Sequence, residues 1–271
     1  EGMKDALEDP FIAELVGSLE YQIQEKGYYM MLVTRHKGRD LMEQILGWNL
    51  EAMISIGLGE REIRKIRGRF SGPMAVIDGY CPLPEGVINV RTDDRGGGYL
   101  MGKYLLKKGH RRLLFLTDND ESVDHERWLG VKEALEEERV EDAASRHILV
   151  PEDPSRRRRQ YLEMLPFFRE QSALFFASDL YAVEALNFLQ DRGIRVPEEL
   201  SVAGFDDVAY AKLSRPALTT VRQNVGEKAR RSVEALIRKI NGETVGGEYR
   251  ISTFLVERKS VSGRKTTEER S

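Results

Sequence analysis

The stretch from residue 173 to residue 207 constrains the fold of this chain more than any other. Short apolar runs at Leu174–Ala177 and Leu200–Phe205 have the length of buried strands, and the segment between them, Tyr181–Leu189, repeats apolar residues at helical spacing before Gly193. A strand, a helix and a second strand in this order form a right-handed crossover, which makes the two strands parallel. Because ligands bind off the carboxyl ends of such strands, the stretch predicts an open parallel sheet with a site at one edge.

The same alternation of strand and helix patterns runs along nearly the whole chain, and it predicts an α/β fold with parallel sheets. About fourteen elements are predicted, which is more than one small sheet accommodates. The predicted elements include the strands Tyr29–Val33 and Ile251–Val256 and the helices Leu41–Leu46, Arg95–Lys107 and Arg156–Phe168.

Charge and cysteine content narrow the range of functions. The 42 lysine and arginine residues face 45 acidic residues, so the net charge of −3 argues against nucleic-acid binding through a basic face. Cys81 is the single cysteine, which excludes an internal disulfide and fits a reducing cytosol. No apolar run approaches ~18 residues, and the first residues lack the apolar core of a signal peptide. We therefore expect a cytoplasmic protein without a membrane span.

Polar side chains stand where several predicted strands end. Asp78 follows the apolar run that begins at Met74, and it either accepts hydrogen bonds from ligand hydroxyls or caps its own turn. Ser178 and Asp179 follow a second strand, where Asp179 either contacts a ligand or caps the next helix. Asp206 ends a third strand, and a carboxylate facing a cleft needs a partner such as a hydroxyl group or an arginine. Together these residues predict a small polar ligand.

Two further features have both a functional and a structural interpretation. Phe11 begins the first predicted helix, where an aromatic ring either stacks on the apolar face of a sugar or a base or packs in the core. Arg156–Arg159 is a run of four arginines, which invites a nucleic-acid interpretation. Because the run starts a predicted helix and has acids nearby in sequence, a solvated helix face is the simpler interpretation.

The sequence contains no arrangement typical of catalysis, of a metal site or of a cofactor site. Its four histidines, His36, His110, His125 and His147, lack the spacing of metal ligands. The glycines of Gly96–Gly98 do not fit the dinucleotide-binding pattern, and no serine nucleophile elbow is present. We therefore expect neither enzyme activity nor a bound metal or cofactor.

Several short motifs occur in a fixed order along nearly the whole chain. They are Pro10-Phe11-Ile12-Ala13-Glu14-Leu15, Val76-Ile77-Asp78, Gly96-Gly97-Gly98-Tyr99-Leu100, Lys108-Gly109-His110-Arg111-Arg112, Glu126-Arg127-Trp128-Leu129-Gly130 and Leu218-Thr219-Thr220-Val221-Arg222-Gln223. With these motifs the chain resembles the effector-binding region of the lactose-repressor/galactose-repressor (LacI/GalR) family of bacterial transcription regulators.

The resemblance implies two doubly wound parallel-sheet lobes of the periplasmic-binding-protein-like type I fold, joined by three crossover segments. Carried onto this sequence, the first lobe comprises residues 1–91 and 223–250, and the second comprises residues 92–222 and 251–266. Residues 267–271 form a polar tail. Members of the family also have an N-terminal helix-turn-helix and an apolar strand ahead of the first helix, neither of which we recognise in this sequence.

The resemblance also assigns roles to individual residues. Arg127 matches the family's effector-binding arginine, whose planar fork suits vicinal hydroxyls, a carboxylate or a phosphate. Asp206 matches its most regular ligand-binding carboxylate, and Gln223 matches a residue that bridges effector and hinge. Most members have asparagine where Ser178 stands, so the usual double hydrogen bond to a hydroxyl pair is in doubt there. The predicted ligand-binding residues are Phe11, Asp78, Arg127, Ser178, Asp179, Asp206 and Gln223.

By resemblance, the chain is the effector-binding and dimerisation module of a regulator, and it holds a sugar or a related polar metabolite between its lobes. We expect a homodimer to which helix Arg95–Lys107 contributes, and operator DNA as a partner only through the missing helix-turn-helix. A secreted sugar-binding protein that feeds a transporter shares the fold and is the alternative. An enzyme on a doubly wound fold is a third hypothesis, which no motif supports.

Overall fold

A computed structural model of the protein describes residues 6–34 and 47–264. Its helices are α1 (Pro10–Glu25), α2 (Glu60–Arg67), α3 (Asp94–Lys107), α4 (Ser122–Glu137), α5 (Pro154–Glu163), α6 (Leu165–Glu170), α7 (Asp179–Gln190), α8 (Ala209–Leu213) and α9 (Val225–Ile240). Its strands are β1 (Met53–Ile56), β2 (Met74–Ile77), β3 (Ile88–Thr92), β4 (Leu113–Thr117), β5 (His147–Leu149), β6 (Ala173–Phe176), β7 (Ser201–Asp206), β8 (Thr219–Arg222), β9 (Gly247–Ile251) and β10 (Phe254–Val256). Within the described ranges, no helix combines the length and the apolar composition that crossing a bilayer requires. The predicted helix Leu41–Leu46, His36 and the tail 267–271 lie outside those ranges.

Two sheets form the framework of the protein. The first has the strand order β1-β2-β3-β9, and each strand runs parallel to its neighbours. The second has the order β10-β8-β7-β6-β4-β5 and is parallel except for β10, which runs antiparallel to β8. The predicted α/β fold with two parallel-sheet lobes is confirmed.

The second sheet separates two hydrophobic cores, because successive residues of a strand point to opposite faces. Leu114 of β4 and Phe176 of β6 pack into the core on one face. Phe115 and Phe175, from the same two strands, pack into the core on the other face, where their rings meet edge to face at 5.2 Å. Strands that are apolar on both faces are typical of a parallel sheet covered by helices on each side.

Within the described residues, the chain passes between the two sheets three times. It leaves the first sheet after Thr92, the last residue of β3, and enters the second lobe with α3. It returns between β8 and α9, and it crosses again at Ser252 and Thr253, between β9 and β10. Thr92 and Ile251 therefore lie in the first sheet, although the predicted lobe boundaries place them in the second lobe.

The predicted strand Tyr29–Val33 does not form. Residues 28–34 have no regular secondary structure, and they pair with no strand in the described part of the chain. Tyr29 is 95% exposed and Leu32 is 46% exposed, so the alternation of side chains buries neither of them. A strand pattern gives a stable strand only where a neighbouring strand and a core are present.

Two other predicted elements are divided in the structure. The predicted strand Ile251–Val256 is two strands, since Ile251 pairs with Thr92 in the first sheet and Phe254 pairs with Arg222 in the second. The predicted helix Arg156–Phe168 is divided into α5 and α6, with Pro166 in the first turn of α6. Proline has no backbone N–H to donate, so it is tolerated at a helix start and breaks a helix interior.

Glycines allow α3 and α4 to pack against each other at unusually short range. A Cβ atom on Gly98 would lie 2.0 Å from the carbonyl oxygen of Arg127, and one on Gly130 would lie 2.0 Å from the carbonyl oxygen of Arg95. A Cβ atom on Gly97 would lie 2.7 Å from the ring of Phe205. No side chain fits at these contacts, so the glycines set the distance between the two helices.

We predict that Gly130→Ala strongly destabilises the protein. The added methyl group meets backbone atoms, which cannot move aside as a side-chain tip can, so the helices must separate. Overpacking of this kind costs roughly 1–3 kcal/mol and sometimes more. Chemical denaturation monitored by circular dichroism measures the change in the free energy of unfolding.

Gly17→Ala is the matched control. Gly17 lies inside α1, where a Cβ atom would meet nothing within 4 Å. Alanine is favoured over glycine in a helix by about 1 kcal/mol, so this variant should be at least as stable as the wild type. Equal stability of the two variants would show that α3 and α4 do not pack as closely as described.

Candidate functional site

Arg127 lies at the centre of a polar cluster between the two lobes. It stands in the second turn of α4, and its guanidinium lies 3.9 Å from the centre of the Phe205 ring. Its Nε donates a hydrogen bond to Oδ1 of Asp94 at 2.8 Å, and its Nη1 donates to the carbonyl oxygen of Ala177 at 2.6 Å. The residue is 5% exposed, and a cation so deeply buried is stable only with partners of this kind.

Asp206 faces Arg127 from the end of β7. Its Oδ1 lies 3.8 Å from Nη1 of Arg127 and accepts a hydrogen bond from Nε2 of Gln223 at 2.7 Å. Within the described ranges, no hydrogen bond to its Oδ2 is present. The backbone φ of Asp206 is 115°, a strained value for a residue other than glycine. Such strain costs about 1–3 kcal/mol, and it concentrates at ligand sites because the surrounding structure holds it there.

Gln223 connects the two lobes at the second crossing and is 4% exposed. Besides donating to Asp206, its side-chain oxygen accepts hydrogen bonds from Oγ1 of Thr92 at 2.5 Å and from Nζ of Lys228 at 2.9 Å. The chain therefore brings its first and second crossings together through one amide. Gln223 thus contacts residues of both lobes, and its contact with an effector stays a prediction.

Asp78 forms an ion pair with a residue that the sequence analysis did not single out. Its two carboxylate oxygens accept hydrogen bonds from Nζ of Lys228 at 3.0 and 2.7 Å. Lys228, on the first turn of α9, is 0% exposed. Asp78 also accepts a hydrogen bond from the backbone N–H of Thr92 at 3.1 Å, and its φ is 55°. The carboxylate is thus held in place by its own protein, at the end of β2.

Phe11 belongs both to the core and to the polar cluster. Asp9 caps α1 by accepting hydrogen bonds from the backbone N–H groups of Phe11 and Ile12, which fixes the start of the helix. The ring of Phe11 packs against the core of the first lobe, and Nζ of Lys228 lies 5.1 Å from its centre. Both interpretations of this aromatic residue therefore stay open.

Asp94 joins the cluster to the first lobe. Its Oδ2 accepts a hydrogen bond from the hydroxyl of Tyr80 at 2.6 Å, while its Oδ1 holds Arg127. A cavity of about 480 Å³ opens beside this contact, and Tyr80, Asp94 and Tyr99 belong to its lining. Asp78, Arg127 and Asp206 do not line it. The cavity is therefore a neighbour of the cluster and not the predicted ligand site.

Ser178 and Asp179 serve the structure of the second lobe. Ser178 caps α7 by accepting a hydrogen bond from the backbone N–H of Tyr181 at 3.4 Å, so the cap is the serine and not the aspartate. Asp179 is 0% exposed, and its two oxygens accept hydrogen bonds from Thr220 at 2.6 Å and from the backbone N–H of Val208 at 3.0 Å. Because Asp179 is completely buried and both its oxygens are hydrogen-bonded within the second lobe, it has no surface to offer a ligand, and it is no longer a candidate binding residue.

One arginine of the run Arg156–Arg159 is buried and holds α5 against α7, which the sequence does not indicate. Arg157 is 3% exposed, its guanidinium pairs with Glu184 at 2.7 Å, and it lies 4.0 Å from the ring of Tyr181. Arg158 is exposed and pairs with Asp191 at 3.3 Å. The prediction of a wholly solvated helix face is wrong for Arg157, because its side chain reaches back to α7.

Burial shifts the ionisation of the carboxylates in the cluster. It raises the pKa of Asp206 to about 7, although Arg127 and Gln223 oppose the rise, and the carboxylates of Asp9 and Asp124 add to it. Burial likewise raises the pKa of Asp124 to about 6. Burial alone would lower the pKa of Arg127, but Asp94 and Asp206 raise it above its usual value, so the arginine stays charged.

The cluster has the chemistry to bind a hydroxyl group. A hydroxyl is both donor and acceptor, so one placed between Oδ2 of Asp206 and the guanidinium of Arg127 can donate to the first and accept from the second. Side-chain ligands of this type, gathered at the carboxyl ends of parallel strands, are common where open α/β sheets bind small molecules. Two such sheets with three crossings and a polar cluster between them define a two-lobed protein that binds a small molecule.

The family is shown by comparison with known proteins. A family model described as a periplasmic binding protein-like domain matches residues 103–261, and the chain belongs to that family. Among curated proteins, it is 27% identical over 270 residues to the HTH-type transcriptional repressor PurR of Haemophilus influenzae, covering 94% of this chain and 78% of the relative. It is also 27% identical over 242 residues to the ribose operon repressor of the same species, covering 87% of this chain and 72% of that protein.

A solved structure described as the transcriptional regulator CelR in complex with cellobiose superposes with a TM-score of 0.82. The two chains are 26% identical, and the match covers 93% of this chain and 79% of the other. The chain is an effector-binding domain of the LacI-type regulators within the periplasmic binding protein-like family. The alternative of a transport protein is the less supported of the two, since these relatives are regulators of transcription.

We predict that Asp206 makes the stability of the protein depend on pH. Its pKa is raised from 3.8 to about 7, so the folded chain binds this proton more tightly than the unfolded chain does. The stability that this proton contributes is complete at low pH and is lost as the pH rises through about 7. Asp206→Asn removes the titration, so the free energy of unfolding of the variant relative to wild type should rise by roughly 2–4 kcal/mol between about pH 4 and about pH 8.

Urea denaturation of both proteins across this pH range measures the difference. Glu60→Gln, which removes an exposed carboxylate from α2, is the control and should give a difference that does not change with pH. A flat difference for Asp206→Asn would show that the carboxylate titrates as an ordinary surface acid.

Proposed function

We propose that the chain binds a sugar or a similar small polar metabolite between its two lobes and thereby controls the operator binding of a regulator. The proposal rests above all on one observation, the open Oδ2 of Asp206 beside the buried guanidinium of Arg127 at the junction of the lobes. We assign Arg127, Asp206, Gln223 and Asp78 as the residues that bind the ligand. We place the ring of Phe11 against the ligand and Ser178 at the edge of the binding site.

The described relatives support a small carbohydrate as the ligand. One solved relative is described as a complex with cellobiose, and one curated relative is a ribose operon repressor. Another is a PurR repressor, so nucleobases belong in any screen. The reaction of the module with its ligand is binding alone, and we propose no enzyme activity.

A ligand bound between the two lobes can change the affinity of the regulator for DNA. Asp78 and Lys228 belong to the first lobe, Asp206 and Arg127 belong to the second, and Gln223 touches both sides. A ligand that contacts both lobes binds more tightly to one relative orientation than to the other, and it shifts the population towards that orientation. In a symmetric regulator, such a shift changes the distance between two DNA-binding heads and so the affinity for a two-fold operator.

We further propose that the chain acts in the cytoplasm as a homodimer, since a two-fold operator calls for a two-fold protein. The expected contribution of α3 to the dimer is not supported, because most of its residues are buried against the rest of the chain. Exposed apolar side chains lie on several other elements, among them α8, where Tyr210 is 49% exposed and Leu213 is 70% exposed. Light scattering of the purified chain tests the dimer, and a monomer at tens of micromolar would contradict it.

We predict that Arg127→Lys weakens effector binding by about 10- to 100-fold. Lysine keeps the positive charge beside Asp94 but lacks the planar fork that spans Asp94 and the ligand position. A thermal-shift screen of monosaccharides, disaccharides and nucleobases identifies a ligand, and isothermal titration calorimetry then gives its dissociation constant for both proteins.

Arg158→Lys is the matched control, because it makes the same change at an exposed arginine of α5. Its dissociation constant should equal that of the wild type. Wild-type affinity in a folded Arg127→Lys variant would remove Arg127 from the site and contradict the proposed binding mode.

We predict that the chain by itself does not bind operator DNA specifically. Binding to phosphates needs a concentrated cationic surface, whereas the net charge here is −3 and Arg157 is bound within the protein. A gel-shift assay at physiological salt, with a two-fold symmetric operator from the promoter region of its own gene and with unrelated DNA, should give no sequence-specific complex. A saturable and specific shift would mean that this region contacts DNA directly.

A further inference from the structure

The ammonium group of Lys228 is fully paired with acceptors inside the protein. Its three ammonium protons have partners in the two oxygens of Asp78, at 3.0 and 2.7 Å, and in the side-chain oxygen of Gln223, at 2.9 Å. A lysine that is 0% exposed and so closely paired has no capacity left for a ligand. Lys228 and Asp78 together form a neutral ion pair.

The charge of Arg127 is also matched within the protein. Asp94 accepts from its Nε at 2.8 Å, and two further carboxylates lie close to Nη1, those of Asp124 at 3.7 Å and Asp206 at 3.8 Å. One guanidinium thus faces three acids. Because a buried cation is stabilised by the acids around it, an added anion gains little from Arg127 and is repelled by its neighbours.

Carboxylates outnumber cations across the cluster. The carboxylate of Asp9, in the first lobe, raises the pKa of Asp206. The cluster also contains Asp78 and Asp94, which accept hydrogen bonds from Lys228 and Arg127. In the described part of the chain, the only two cations placed in the cluster are Arg127 and Lys228, each already paired. The rise in the pKa of Asp206, caused by burial and increased by Asp9 and Asp124, points to the same excess of negative charge.

The hydrogen-bonding groups left for a ligand match hydroxyl chemistry. Oδ2 of Asp206 is an open acceptor, and Nε2 of Gln223 has one proton beyond the one given to Asp206. Arg127 has Nη2 beyond its contacts to Asp94 and Ala177. A hydroxyl group satisfies the acceptor and the donors together. The oxygens of a phosphate or a carboxylate can accept from Gln223 and Arg127, but they cannot donate to Oδ2 of Asp206 and are repelled by the ionised form of that carboxylate.

We infer that the effector carries no anionic group: the site selects an uncharged polyhydroxy compound and rejects phosphorylated sugars and sugar acids, and the Asp78–Lys228 ion pair is the determinant of that selection. This inference rests on the proposed function and narrows it to one chemical class. It makes Lys228 a positioning residue, which neutralises and orients Asp78 without contacting the ligand through a free charge.

Matched pairs of probes test the inference on the intact chain. D-ribose is compared with D-ribose 5-phosphate, and D-glucose with D-glucose 6-phosphate and D-gluconate, with cellobiose as a further neutral probe. Isothermal titration calorimetry gives the dissociation constants. We expect at least one neutral probe to bind, and its anionic counterpart to bind at least about 10-fold more weakly, which corresponds to about 1.4 kcal/mol.

Asp78→Asn examines the role of the ion pair. The amide no longer neutralises Lys228, so the freed ammonium should reduce the preference for the neutral probe over its phosphorylated counterpart by about 10-fold or more. The double variant Asp78→Asn/Lys228→Met removes both charges and should restore the preference of the wild type. Glu133→Gln, which removes an exposed carboxylate on α4, changes the net charge equally and should leave the preference unchanged.

The outcomes separate this inference from the proposed function. A phosphorylated sugar or sugar acid that binds the wild type as tightly as its neutral counterpart overturns the inference and leaves the proposed function intact. Failure of these probes and of every sugar and nucleobase in the thermal-shift screen to bind overturns the proposed function, and the inference with it. An unchanged preference in folded Asp78→Asn overturns the role of Lys228. The comparison on wild type decides the selection against anions even if that variant does not fold.

Discussion

The close contact between α3 and α4 is the constraint on which the candidate site depends. Gly98 and Gly130 let the two helix backbones approach so nearly that a methyl group fits at neither position. Because α3 starts with Asp94 and α4 carries Arg127, the contact that sets the helix spacing also sets the ion pair between them. Gly97 leaves room for the Phe205 ring, on which the guanidinium lies. The close packing of the α3 and α4 backbones therefore determines where the ion pair of Asp94 and Arg127 lies in the cleft.

The parts of the structure that the sequence predicts are those fixed by local pattern. The buried strand β6 is an unbroken apolar run and β7 is mostly apolar, and the residues at the carboxyl ends of both must lie at one edge of the sheet. Motif resemblance then identified Arg127, Asp206 and Gln223, and in the structure Asp206 lies within ion-pairing distance of Arg127 and accepts a hydrogen bond from Gln223. The strand predicted at Tyr29–Val33 depended on a neighbour that local pattern cannot supply.

The parts that the sequence missed depend on contacts between distant residues. Lys228 stands in a helix rich in charged residues, where a lysine is expected to face solvent, and its hydrogen bonds to Asp78 and Gln223 explain its complete burial. The choice between Ser178 and Asp179 as helix cap was decided by backbone conformation, since Ser178 alone is extended at the position that precedes the helix. Asp179 is held by Thr220, whose position the local sequence does not reveal.

The pairing of Asp78 with Lys228 limits how a sequence of this kind can change over generations. The two residues lie 150 positions apart, yet loss of either one leaves a buried charge alone, at a cost of about 3–5 kcal/mol. Joint replacement by uncharged residues of similar volume is close to neutral by the same argument. Lineages should therefore keep the pair or lose it as a unit, so that the identity of residue 78 informs that of residue 228. A regulator that acquires a charged ligand by this route passes first through a less stable ancestor.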